Sequence, residues 1–151
     1  MPIWIGDRLI VASTVDAEYI RQDPRAILLD AGQAFGTGTH PTTQMCLLEI
    51  QAHLQAGDRA VDVGTGSGIL AGAAAKLGAG RVVAIDRDVS ACRMAQANVH
   101  RNGLAKVLTV SRLCRVGGTI ILSGFQPPGE GLVVATLGGA VGHAVVACGK
   151  P

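Results

Sequence analysis

Ala60-Val-Asp-Val-Gly-Thr-Gly-Ser-Gly-Ile-Leu70, followed by Arg81-Val-Val-Ala-Ile-Asp-Arg-Asp88, decides the fold of this chain. The first stretch reads as a strand, a glycine-rich turn and the start of a helix. The second is a strand ending in an acid. Glycines at such a turn let backbone approach a ligand closely, and a carboxylate at the end of the next strand suits a ribose diol. Gly64 and Asp86 are 22 positions apart, close to the roughly 20 expected of a strand-turn-helix-strand nucleotide unit.

The turn also separates cofactor classes. A dinucleotide fingerprint, Gly-x-Gly-x-x-Gly, uses its third glycine for helix-on-strand packing and its helix N-terminus for a pyrophosphate. Here the pattern is Gly64-x-Gly66-x-Gly68, with Ile69 where that third glycine would fall. Asp62 stands just before the turn, where a carboxylate would repel a pyrophosphate and attract the ammonium of an amino-acid-like ligand. Both features favour S-adenosylmethionine, which carries no phosphate. The competing reading is an ordinary glycine-rich turn with no ligand, and it leaves Asp86 unexplained.

Around this unit, 151 residues make one domain with room for a core. A net charge of +2 with scattered Lys and Arg gives no case for direct nucleic-acid binding, and 3% aromatics leave few stacking platforms. No apolar run has the length of a membrane span and no signal-peptide pattern opens the chain, so a cytoplasmic protein is expected. The four cysteines, Cys46, Cys92, Cys114 and Cys148, stand far apart. They are read as reduced, mostly buried thiols, with no metal site expected.

Residues 3–12 read as a hairpin-forming lead-in turning at Gly6-Asp7, and Ile27–Asp30 as a further strand. After a glycine-rich loop from Ala31 to Thr39, Pro41 opens a helix to about Gln55, capped by Thr39 or His40. Met45, Leu47, Leu48, Ile50 and Leu54 are expected to form its broad buried stripe. The core follows: strand Ala60–Val63, helix Ile69–Leu77, strand Val82–Ile85, a helix from about Ala91 to Arg101 capped by Asp88 or Ser90, and strand Val107–Val110. Asn102-Gly103 closes that last helix with a left-handed residue. This is an α/β fold with a mostly parallel sheet and a ligand at the carboxyl ends of its strands.

Beyond Val110 the alternation fails. Thr119–Ser123 reads as a strand, yet only eight residues, Ser111 to Gly118, precede it. An extended linker of that length reaches about 26 Å, against a path of roughly 22 Å across three strands and back. A nearly extended crossover and an antiparallel return both remain open. Residues 1–124 are therefore assigned to the cofactor domain, and 125–151 to a Gly/Ala-rich segment of undetermined structure.

The loop Phe35-Gly-Thr-Gly-Thr-His-Pro-Thr-Thr43 is a long, specific string. With Val61–Leu70, Ile85-Asp86, Asn98, Arg101-Asn102-Gly103 and Gly117-Gly-Thr-Ile-Ile-Leu-Ser-Gly124, it closely resembles the PrmA-type ribosomal protein methyltransferases. The resemblance implies a class I, Rossmann-like methyltransferase fold. It also implies transfer of methyl groups from S-adenosylmethionine to amines of a ribosomal protein, large-subunit protein eleven. Carried over by position, Phe35, Gly36 and Thr37 would close over the methionine end of the cofactor. Thr43, Asp62, Gly64, Thr65, Gly66 and Ser67 would contact it, and Asp86 its ribose. His40, beside Pro41, is expected to orient the loop rather than act as a base, and no residue stands out as the proton acceptor.

Three departures accompany the resemblance. The family carries an N-terminal substrate-gripping domain, and this sequence is read as beginning where the catalytic domain begins; nothing between Val110 and Gly117 matches the family's fourth-strand Ala-Asn-Ile segment, and its closing strands are not recognisable after Gly124. The sheet is thus expected to be truncated or rearranged after the third core strand. The functional readings are an active protein N-methyltransferase, a cofactor-binding module without turnover that a partner chain or self-association through an unpaired strand edge would complete, and, last, a nicotinamide oxidoreductase or an unrelated nucleotide-binding domain.

Overall fold

The computed structural model describes residues 1–15, 18–30 and 38–110. The expectations placed on residues 31–37, on Thr119–Ser123 and on residues 125–151 lie outside the described residues. Six strands and three helices are described, in the order β1 (Ile3–Ile5), β2 (Leu9–Ser13), β3 (Ala26–Leu29), α1 (Pro41–His53), β4 (Arg59–Val63), α2 (Ile69–Lys76), β5 (Arg81–Ile85), α3 (Val89–Arg101) and β6 (Val107–Val110). They form two three-stranded sheets, β1-β2-β3 and β4-β5-β6. The second is wholly parallel, with Val61 opposite Val83 and Ile85 opposite Val110.

β1 and β2 make the expected hairpin, with Ile5 opposite Leu9 and Gly6 in a left-handed conformation at the turn. Gln51 of α1 holds it from behind, donating to the Ile5 carbonyl at 2.9 Å. β2 then pairs in parallel with β3, a pairing the strand pattern had not indicated. β2 is buried on both faces, which is why it reads as an unbroken apolar run rather than an alternating one. Leu9 and Val11 join the main core, while Ile10 and Ala12 pack in a second cluster with Ile20, Ala26 and Leu28.

The main core draws on both sheets and on α1 and α2. α2 owes its central place to small residues: Ala71 and Ala73 have no exposed surface. α1 differs from expectation in its exposed face. Leu47, Ile50 and Leu54 are buried, but Met45 is 65% and Leu48 46% exposed. At about 100° per residue, positions 47, 50 and 54 share one face, whereas 45 and 48 fall outside it. Five apolar residues span more arc than one contact can cover.

α3 starts two residues earlier than the sequence suggested, because Asp88 is the cap: its carboxylate accepts from the Ser90 amide at 2.8 Å. Its last turn ties the two sheets together. The Asn102 side chain accepts from the Leu28 amide at 2.8 Å and donates to the Leu28 carbonyl at 2.8 Å, so one carboxamide occupies both polar groups of that β3 residue. Replacing Asn102 with Ala leaves both groups without those partners and should cost about 1.5–3 kcal/mol. Urea unfolding of the variant against the parent chain measures it.

Candidate cofactor site

The glycine turn leaves β4 at Val63 and enters α2 at Ile69, with Gly64, Gly66 and Gly68 at φ of 76°, 53° and 79°. Three left-handed residues within five positions explain the glycines by backbone conformation. Gly68 has a second reason, since a Cβ there would lie 3.0 Å from Ala95 of α3. Among the described residues there is open space in front of Gly64, with nothing within 4 Å of where its Cβ would be.

Hydrogen bonds inside the protein occupy four of the turn's amides. Those of Gly64 and Thr65 donate to the Ile85 carbonyl at 2.8 and 2.9 Å, and that of Gly68 to Thr65 at 2.8 Å. The Gly66 amide donates to Asp86 Oδ2 at 3.0 Å, while Asp86 Oδ1 accepts from the Asp88 amide at 3.0 Å. Asp86 thus stands at the end of β5 with a carboxylate oriented by two backbone donors, half-buried beside the turn.

Asp62 approaches from the other side. It shares the buried face of β4 with Ala60, reaches the first turn of α2 and is only 9% exposed. Its Oδ2 accepts from the Thr65 hydroxyl at 2.7 Å and from the Ala71 amide at 3.1 Å. The carboxylate therefore braces the turn and occupies a first-turn amide of α2, a position favoured by the helix dipole. Burial pushes the Asp62 carboxyl above the ordinary carboxylate range and the nearby Asp86 adds to this, with the Thr65 and Ala71 bonds opposing both.

The remaining predicted residues take distinct places. Thr65 and Ser67 are each 5% exposed, the Thr65 hydroxyl held by Asp62. Thr43 lies half-buried in the first turn of α1, with no hydrogen bond joining its side chain to the glycine turn. His40 is the cap of α1: its Nδ1 accepts from the Thr42 amide at 3.3 Å and meets the Thr42 hydroxyl at 2.6 Å. Phe35, Gly36 and Thr37 lie outside the described residues. The residues flanking them both reach the turn's surroundings. Gly38 packs against Ile69 at the start of α2, and the Asp30 amide donates to Asn98, whose own amide donates to the Ser67 carbonyl. Sequence reasoning had assigned Asn98 no part in this site. The available signal was its place on the inner face of α3 with Ala91 and Ala95, where a polar residue needs a buried partner.

With this geometry, the family model described as ribosomal protein L11 methyltransferase (PrmA) matches residues 1–120. The chain belongs to the PrmA family. A ribosomal protein L11 methyltransferase of Desulforamulus reducens is 46% identical over 110 residues, covering 72% of this chain and 35% of the relative. That of Pelotomaculum thermopropionicum is 48% identical over 104 residues, covering 69% and 34%. The crystal structure of a ribosomal protein L11 methylase from Lactobacillus delbrueckii subsp. bulgaricus superposes with a TM-score of 0.65 at 36% identity, over 74% of this chain and 57% of that one. The fold is accordingly that of the S-adenosylmethionine-dependent methyltransferases. This PrmA-family chain spans about a third of the length of the curated relatives it matches.

The raised Asp62 pKa has a defined consequence for stability. The folded chain binds this proton at a pH where the unfolded chain, near 3.8, has lost it. The site's contribution to stability is therefore full below the unfolded value and is lost as pH rises through the folded one. Asp62→Asn keeps an acceptor for Thr65 and Ala71 without the charge. It should be at least as stable as the parent at pH 7, with the parent gaining on it as pH is lowered; urea unfolding from pH 7 to 4 tests this.

Proposed function

We propose that the chain binds S-adenosylmethionine at the glycine turn and supplies the cofactor half of a protein N-methyltransferase whose acceptor is an amine of a ribosomal protein. One observation carries the choice of cofactor. Four of the turn's amides and a first-turn amide of α2 are already held by the Ile85 and Thr65 carbonyls and by two internal carboxylates. A pyrophosphate would have to displace Asp62 from the helix terminus and meet two negative charges. A cationic, phosphate-free ligand meets no such conflict.

When bound, S-adenosylmethionine supplies an electrophilic sulfonium methyl that an unprotonated amine can attack. The chain's own residues act by binding and alignment. Asp86, oriented by the Gly66 and Asp88 amides, accepts from the ribose hydroxyls. The open space before Gly64 admits the ligand against backbone. Asp62 attracts the amino-acid end by its charge, and Thr43 adds a hydroxyl from the first turn of α1. The family supports the ribosomal-protein acceptor and hence a cytoplasmic site of action.

A second reading, a cofactor-binding module without turnover, is favoured by a specific fact: the described residues supply no group that takes the proton of a lysine amine with a pKa near 10.4. Transfer of labelled methyl from S-adenosylmethionine to ribosomal protein separates the two, since the module binds cofactor and moves no label. Calorimetry on the full chain should detect S-adenosylmethionine and its demethylated product and no NAD. Asp86→Ala should weaken the former by about 1.5–3 kcal/mol, and an unchanged affinity removes Asp86 from the site.

A further inference from the structure

We propose that Asn98 is a positioning residue for cofactor binding, holding the glycine turn through the Ser67 carbonyl; this rests on the reading that S-adenosylmethionine occupies that turn. Asn98 is 3% exposed, at the start of the last turn of α3, and its carboxamide reaches the glycine turn, the end of β3 and Arg101 of its own helix. Its amide donates to the Ser67 carbonyl at 2.9 Å. Its oxygen accepts from the Asp30 amide at 3.1 Å, where β3 ends, and from Arg101 at 2.7 Å. Arg101 also pairs with the Asp30 carboxylate at 3.2 Å, closing a ring of contacts around the junction.

One turn earlier, Ala95 seats against Gly68 so closely that no Cβ fits. Ala95 and Asn98 lie on the same face of α3. They fix consecutive residues of the turn from outside, one by contact and the other by a hydrogen bond. On the ligand side, Asp86 holds Gly66, one residue before Ser67. Asn98 thus acts on the segment whose backbone the cofactor must approach, without lying beside the open space at Gly64. Asn102, one turn on, has the same chemistry but a different target: it bonds Leu28 and the Asn98 carbonyl and does not touch the turn. The two asparagines separate positioning from general stability.

The test compares Asn98→Asp with Asn102→Ala in the full chain. Asn98→Asp keeps acceptors for Asp30 and Arg101 and replaces the donor to Ser67 with a carboxylate oxygen. Two readouts are taken: amide hydrogen exchange at Gly64, Thr65 and Gly66 without ligand, and S-adenosylmethionine affinity by calorimetry. Asn98→Asp should speed exchange at these amides relative to the β5 amides and weaken binding about tenfold, the loss of one buried hydrogen bond. Asn102→Ala should lower global stability while leaving turn exchange, relative to β5, and affinity within about twofold, because it removes no bond to the turn. If Asn98→Asp does not fold, Asn98→Ala is measured in the same way. A folded Asn98 variant with parental turn exchange overturns the proposal, as does parallel loss of affinity in both variants. A parent chain that binds no S-adenosylmethionine overturns the proposed function instead, and turn exchange still reports whether Asn98 holds Ser67.

Discussion

Two carboxylates hold the glycine turn from opposite sides, and the site's chemistry depends on that grip. Asp62 reaches it from β4, bonding the Thr65 hydroxyl and the Ala71 amide; Asp86 reaches it from β5, bonding the Gly66 amide. A helix N-terminus with unsatisfied amides is a general anion site. Here four turn amides and the Ala71 amide are engaged internally, and the two nearby acids oppose a phosphate. The same acids favour a cationic ligand.

Packing serves the same end. The turn needs three left-handed residues in a row of five, a conformation glycine adopts without strain but must lose conformational entropy to hold. α2 beneath it is built from alanines and lies close to its neighbours, while α3 presses Ala95 against Gly68. Small residues here permit close approach, and close approach leaves the turn one shape. Cofactor-site geometry and core packing are therefore not separable in this chain.

Much of the fold up to Val110 was legible because its punctuation is local. Gly6, Pro41, Gly64–Gly68, Asp88 and Asn102-Gly103 mark element ends that the structure bears out within one or two residues. Three features were not legible, each for a physical reason. The exposed sides of Met45 and Leu48 depend on how much of α1 the hairpin and α2 can cover, which periodicity alone does not state. The parallel pairing of β2 with β3 depends on a crossover, residues 14–25, that carries no helical pattern. The bracing role of Asp62 needs the Ala71 amide, nine positions away, which becomes a partner only once α2 has formed. At the site, the presence of Asp62 and Asp86 beside the turn could be read from spacing, while the bonds that orient them could not.

The ties from α3 to β3 carry one more consequence. Asn98 with Asp30, and Asn102 with Leu28, join positions 68 and 74 residues apart. Contacts that close such long loops are entropically expensive and tend to form after local structure. The turn is therefore held from α3 in full only once the N-terminal sheet has docked. By mass action, a ligand that binds the held turn would shift the population toward the docked chain. Such a molecule would then work as a latch on the N-terminal sheet.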